Sequence, residues 1–183
     1  LMAKLGAKTV VAATLRAVQL LGRQFVLGQT MQEAQHEADS ARRKTGVRYS
    51  YDMLGEGART EADAKRYLQS YTNAIESIAT KVDSTRAMEQ NDGISIKLSA
   101  LHPRYEDAQS QRVMDELVPR VWGLCQAAAA ANINLTIDAE EVDRLELSLE
   151  VLEELVSLVA QHCPQWSGLG LAMQSYQTRA LEL

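Results

Sequence analysis

Cysteine, surplus positive charge and long apolar runs are scarce in this sequence, and each shortage excludes a class of protein. Its two cysteines, Cys125 and Cys163, have no C-x-x-C partner, so we expect no zinc or other metal site. So little cysteine is typical of a reducing, cytoplasmic setting. The formal net charge is -5, so charge gives no reason to expect nucleic-acid binding through this segment. No apolar run reaches the roughly 18 residues of a membrane span.

Glycine-rich phosphate-binding motifs are also missing. Neither G-x-G-x-x-G nor G-x-x-x-x-G-K-[ST] follows any predicted strand, which counts against a Rossmann or P-loop domain. What remains is a chain of 183 residues that is 46% hydrophobic, an ordinary globular value. That length suits one domain, or one domain with an additional arm.

Residues 1–46 predict a helical arm. Apolar side chains recur at helical spacing over Thr9–Leu21. Thr30 and Glu33 have the spacing of a capping box, which marks the start of a second helix. Gly46 is well placed to end it.

From residue 47 onward, strand patterns alternate with helix patterns, which predicts a parallel sheet. The predicted strands cover residues 47–54, 94–99, 133–138 and 169–174. The predicted helices begin near residues 60, 109, 143 and 177. Pro119 falls inside the second of these helices, where we expect a kink or a restart.

Each predicted strand has one apolar face and one small or polar face. Strands covered by helices on both faces would be apolar throughout, so one face here lacks that cover. This pattern favours a (β/α) barrel with its helices outside over a doubly wound open sheet. The polar face collects charged and amide side chains, namely Glu56, Lys97, Asp138, Glu140 and Gln174.

The stretch Asn134–Glu141 ends in three carboxylates within four residues, at the end of a predicted strand. Charged side chains avoid a buried strand unless they are paired, so Asp138 is a candidate site residue. Glu140 and Glu141 have a second interpretation, in which they begin the next helix and face its positive dipole end. Both interpretations stay open for that pair.

Four long motifs carry a resemblance to a known family. They are Arg48–Glu56, Ile94–Tyr105, Ile137–Leu149 and Gln174–Arg179. In this order, and at the ends of strands, they resemble the proline dehydrogenase domain of bifunctional proline utilisation A flavoproteins. The resemblance covers nearly all of residues 22–183.

The resemblance implies a distorted (β/α) barrel that binds FAD and oxidises L-proline to 1-pyrroline-5-carboxylate, in proline catabolism to glutamate. Electrons would pass to a quinone, with the parent protein peripheral on the inner membrane. It implies that Lys97 lies near the flavin and the substrate carboxylate, and that Asp138 lies beside the active site and tunes the flavin. It implies that Glu56 pairs with a substrate-binding arginine, and that Gln174 hydrogen-bonds the flavin ring.

Residues 47–183 contain four predicted β/α units, whereas a complete eightfold barrel takes roughly 250 residues. The resemblance places the arginine pair for the substrate carboxylate and most FAD contacts in later strands. We therefore expect this chain by itself to form an incomplete, inactive site. The alternative is a non-catalytic half-barrel that forms a homo-oligomer through its open sheet edges.

Overall fold

The computed structural model describes residues 6–22 and 26–182, and the arm prediction for residues 1–5 and 23–25 lies outside them. The chain divides into two compact units, residues 1–47 and residues 48–183. Each unit is described separately.

The first unit contains two helices, α1 (Ala7–Gly22) and α2 (Met31–Thr45). No residue of α1 is buried, although one of its faces is rich in valine and leucine. The start of α2 follows the predicted cap, because the Thr30 side chain accepts a hydrogen bond from the Glu33 N–H. Gly46 ends the helix with φ of 72°, a left-handed conformation that glycine adopts without steric cost.

The second unit alternates strands with helices. Its elements are β1 (Ser50–Asp52), α3 (Glu61–Ala79), β2 (Gly93–Ile96), α4 (Leu98–Leu101), α5 (Ser110–Ala130), β3 (Leu135–Ala139), α6 (Leu145–His162) and β4 (Leu169–Met173). Three single turns of 3₁₀-helix also occur, at Met88–Gln90, Asp107–Gln109 and Val142–Arg144.

The four strands form one parallel sheet in the order β1-β2-β3-β4. Right-handed crossovers between strands in sequential order place every connecting helix on the same face of the sheet. Accordingly, α5 packs against both α3 and α6. A doubly wound sheet would instead reverse its strand order at a switch point. The predicted fold class, an α/β partial (β/α) barrel of about four units, is thereby confirmed.

The core lies between the sheet and these helices. Ile94 and Ile96 of β2, with Leu135 and Ile137 of β3, are fully buried. Burying each such side chain contributes about 1.5–3 kcal/mol to stability. The alternation predicted for β3 is confirmed, because its residues are alternately buried and half-buried. Every residue of β2 is buried, so its predicted polar face is covered as well.

Two strands are shorter than the periodicity predicted. The first ends at Asp52, and the backbone then bends at Gly55 and Gly57, which have φ of 131° and 61°. The second ends at Ile96, and α4 begins where the prediction continued the strand to residue 99. The cause is tertiary, because the Lys97 N–H donates to the Tyr71 hydroxyl of α3 (3.1 Å) and not to a neighbouring strand.

The structure tests three further helix predictions. The helix α5 continues through Pro119, so of the expected kink or restart the restart does not occur. Residues 174–182 form turns where a last helix was expected. Glu141 is the cap residue of the 3₁₀ turn Val142–Arg144, which continues directly into α6 at Leu145. The helix-start interpretation is therefore confirmed for Glu141, while Glu140 precedes the turn.

Candidate active site

The Lys97 side chain lies at the carboxyl end of β2, among three carboxylates. Its Nζ is 2.9 Å from both Asp52 Oδ1 and Asp52 Oδ2. It is also 3.6 Å from Asp138 Oδ2 and 3.7 Å from Glu140 Oε1. The Lys97 side chain is only 9% exposed, whereas that of Asp52 is 48% exposed. The four residues form the Lys97 cluster.

Strand register brings the cluster together. Asp52 pairs with Ser95 of β2, and Ser95 pairs with Thr136 of β3. Lys97 and Asp138 each lie two residues further along, so they point to the same face of the sheet. Carboxyl ends of parallel strands meet at one edge, where (β/α) barrels carry their functional groups.

The cluster has an excess of negative charge, with three carboxylates for one ammonium. Burial raises the pKa of Asp138, and repulsion from Asp52 and Glu140 adds to that effect. The attraction of Lys97 opposes this shift without cancelling it. The arrangement therefore favours a further cation at this end of the sheet.

Lys97 itself stays protonated. Burial disfavours the ammonium, but the hydrogen bond from Lys97 to Asp52 and the surrounding carboxylates outweigh it and raise the Lys97 pKa. Behind it, burial raises the pKa of Tyr71 to about 12, so this hydroxyl stays neutral while it accepts the Lys97 N–H. The site therefore contains a permanently protonated ammonium group at the end of a buried lysine side chain.

Asp52 was missed as a site residue, although a signal for it existed. The alternation of β1 already puts Asp52 on the polar face, and parallel pairing with β2 brings that face to Lys97. Glu56, four residues further on, is the residue of this segment that the resemblance selects. The turn through Gly55 and Gly57 leaves Glu56 exposed, and it makes no hydrogen bond or ion pair with the residues that the structure describes.

Gln174 follows the last residue of β4 and is half-buried. Ala172 pairs with Asp138, so Gln174 lies two residues further along on the same face. Closer to the amino end of β4 the same face is small, because a Cβ added at Gly170 would meet only Thr136 Oγ1, at 3.6 Å. Lys97 and Gln174 are the side chains on this face that could donate hydrogen bonds to the polar edge of a planar cofactor.

Two further findings concern the described residues alone. Among residues 6–22 and 26–182, no three His, Cys, Asp or Glu side chains are grouped so that they could hold a metal ion. None of the helices in those ranges has the length and apolar character that crossing a membrane requires.

A parallel half-barrel with charged side chains at the carboxyl ends of its strands is the arrangement of a (β/α)-barrel enzyme. The chain belongs to the proline dehydrogenase family, because residues 34–183 match the family described as "Proline dehydrogenase".

Curated relatives agree with this assignment. The chain is 50% identical over 163 residues to bifunctional protein PutA of Klebsiella aerogenes and to that of Escherichia coli K12. It is 45% identical to the Rhizobium meliloti protein. In each case the match covers 89% of this chain but only 12% or 13% of the relative. The chain therefore spans a small part of the length of these proteins.

Solved structures support the same fold. A variant of Bradyrhizobium japonicum proline utilization A matches with a TM-score of 0.76 and 48% identity, over 97% of this chain and 17% of that one. Proline utilization A of Bdellovibrio bacteriovorus, inactivated by N-propargylglycine, matches with a TM-score of 0.82 over 97% of this chain and 19% of that one. At 22% identity, the latter supports the fold alone.

Proposed function

We propose that this chain supplies one side of the active site of an FAD-dependent proline dehydrogenase, which oxidises L-proline to 1-pyrroline-5-carboxylate. The observation that carries the proposal is the Lys97 cluster at the carboxyl end of the sheet, in a chain of the proline dehydrogenase family. Proline has a carboxylate, and a buried ammonium is a strong partner for it.

Lys97 binds the carboxylate of proline in this proposal. Its ammonium is already hydrogen-bonded to Asp52, and Asp138 and Glu140 add further negative charge. An incoming carboxylate would be repelled by that surplus. Additional cations, such as arginines from other strands of the domain, must therefore join the site. In this proposal Asp138 orients one of them, and Glu56 pairs with a substrate-binding arginine.

Gln174 and Lys97 would hold the polar edge of FAD, which supplies the acceptor for the hydride that leaves the proline ring carbon. The small surface at Gly170 and Ala172 leaves room for a planar ring. Asp138 modulates the local potential through its charge. We further propose that the electrons reach a quinone, from a cytoplasmic parent protein that is peripheral on the inner membrane.

The test is proline-dependent reduction of an artificial electron acceptor by a polypeptide of the relatives' length that contains this chain. Lys97→Ala and Asp138→Ala should each lower kcat/KM for proline by about tenfold or more, the typical loss of a charged hydrogen bond. Lys65→Ala removes an exposed lysine of α3 and serves as the control. Unchanged kinetics in both site variants would overturn the assignment.

For the 183 residues by themselves we propose no proline oxidation and no stoichiometric flavin.

The alternative role is that of a non-catalytic half-barrel that associates with a second copy through its sheet edges. Within the described residues, β1 pairs only with β2, and β4 only with β3. The absorbance spectrum of the purified chain tests the first proposal, and a yellow protein that proline bleaches would contradict it. Sedimentation of the purified chain tests self-association, and a monomer would contradict it.

A further inference from the structure

We propose that Arg120, a residue of α5 outside the Lys97 cluster, is a positioning residue that sets where Lys97 lies. This inference rests on the proposed function only for its catalytic consequence, because the structural link can be measured without substrate. The link runs from Arg120 to the short helix α4, and from α4 to both Lys97 and the loop that carries Glu56.

Arg120 joins two elements with its two terminal nitrogens. Its Nη1 donates to the backbone carbonyl of Leu101, the last residue of α4, at 2.8 Å. Its Nη2 donates to Glu61 Oε1, on the first residue of α3, at 2.7 Å. The Arg120 side chain is 18% exposed, so water competes little for these bonds.

The bond to Leu101 matters because α4 is short and buried. All four of its residues are buried, and its last carbonyls have no partner within the helix. A buried carbonyl without a partner is costly, so the guanidinium of Arg120 fixes the end of α4. The planar guanidinium reaches Leu101 and Glu61 together, which a lysine ammonium does less well.

The N-terminal end of α4 adjoins the candidate site. Lys97 is the cap residue before α4, so a shift of this helix moves the Lys97 backbone. Ser99 of α4 accepts two bonds from the loop after β1, one from Ala58 N to its carbonyl (2.8 Å) and one from Gly57 N to its hydroxyl (3.4 Å). Arg120 therefore anchors an element that contacts both Lys97 and the Glu56 loop.

Arg112 provides a matched control on the same helix. It lies two turns earlier in α5, and its guanidinium forms an ion pair with Glu116 (Nε to Oε1, 2.7 Å). The Arg112 side chain is 47% exposed, and the structure gives it no bond to α4. Exchanging either arginine for methionine removes one charge from α5, but only Arg120→Met removes a hydrogen bond to α4 itself. In Arg112→Met, Glu116 keeps its contact with Nε2 of His102 (3.2 Å), the residue after α4.

The experiment is amide hydrogen exchange on the purified 183-residue chain, without substrate or cofactor, together with acylation of Lys97 followed by mass spectrometry. Arg120→Met should speed exchange at Ala58 and Lys97 by about tenfold or more, since the loss of a charged hydrogen bond loosens α4 locally. It should also speed Lys97 acylation. Exchange in β3 and α6 should stay within about twofold of wild type, as should every rate in Arg112→Met.

Arg120→Lys keeps one charged nitrogen, which can reach Leu101 or Glu61 but not both, so its exchange rates should lie between those of wild type and Arg120→Met. It also tests the proposal if Arg120→Met does not fold. Unchanged exchange at Ala58 and Lys97 would overturn the proposal. So would a uniform acceleration that includes α6, because it would make Arg120 a general contributor to stability. If the local effect is present but proline oxidation is absent in the longer polypeptide, the positioning link stands and the proposed function fails.

Discussion

The two ends of the parallel sheet are built from different chemistry. At the carboxyl end, Lys97 is surrounded by Asp52, Asp138 and Glu140, so negative charges outnumber positive ones. At the amino end, side chains hydrogen-bond mainly to backbone groups, and the charged Asp92 is among them, since its Oδ1 accepts from Tyr49 N (3.0 Å). Trp166 Nε1 donates to the Ile133 carbonyl (3.0 Å).

The amino end also has a cleft of about 680 Å³, which includes Trp166 in its lining. The described lining residues contain no Asp, Glu, Lys or Arg. Asn91 closes the turn before β2, because its Nδ2 donates to the Asn132 carbonyl (3.1 Å) and its Oδ1 accepts from Asp83 N (3.3 Å). Satisfied polar groups stabilise this end, whereas the excess of carboxylates at the other end is suited to binding, as in (β/α) barrels generally.

Trp166→Ala should give the largest loss of stability. The ring is 8% exposed, and its removal leaves a cavity and an unpaired Ile133 carbonyl, for a cost of about 3–4 kcal/mol. Urea unfolding followed by far-UV circular dichroism measures it. Trp122→Ala is the control, since Trp122 is half-buried and packs against His162 with the two rings tilted. Equal losses for the two variants would refute the special role of Trp166 at the amino end.

Lys97→Met should cost about 2 kcal/mol, because it leaves the half-buried Asp138 next to Asp52 without a cation. Exposure of Asp52 to water keeps the loss below that of a fully buried pair. The same urea titration applies, with Lys65→Met as the control on an exposed lysine. A stability equal to that of wild type would mean that Lys97 balances no repulsion among the carboxylates.

Gly168 and Gly170 allow the amino end to be compared with the interior of the sheet within three residues. A Cβ at Gly168 would lie 2.4 Å from Trp166 Nε1 and 2.5 Å from Met88 Sδ, so Gly168→Ala should cost about 1–2 kcal/mol. A Cβ at Gly170 meets only ordinary contacts, and Gly170→Ala should stay within about 0.5 kcal/mol. The comparison fails if Gly170→Ala is the more destabilised variant in thermal unfolding.

Asp138→Asn should produce the smallest effect, a change in the pH dependence of stability. The Asp138 pKa is raised in the folded chain, so the folded state holds a proton that the unfolded state has lost. Its contribution to the free energy of unfolding therefore rises as pH falls through the folded-state pKa, and levels off below the ordinary value of 3.8.

Urea titrations at closely spaced pH values give the difference between wild type and Asp138→Asn. Wild type should gain stability relative to the variant as pH falls through that window. A relative loss in the same window would mean that the attraction of Lys97 dominates over burial, which reverses the sign of the Asp138 shift.

Local signals predicted the helices best. The start of α3 near residue 60 is confirmed, and Thr60 and Asp63 form a capping box there, in which Thr60 Oγ1 accepts from Asp63 N and Asp63 Oδ2 accepts from Thr60 N. Both partners lie within one turn, so sequence spacing suffices to find them. Strand ends were predicted less well. Alternation continues past Ile96 in the sequence, and only the Tyr71 hydroxyl, from another element, ends the strand there.

The sequence by itself determined that this chain alternates strands with helices, and that Lys97 and Asp138 share the polar face of the sheet. Periodicity is a local property, so it can be read along the chain. Only the tertiary structure decided that Asp52 binds Lys97. Asp52 and Lys97 are 45 positions apart, and the register of β1 on β2 joins them. Such pairings depend on packing between elements, which no local pattern specifies.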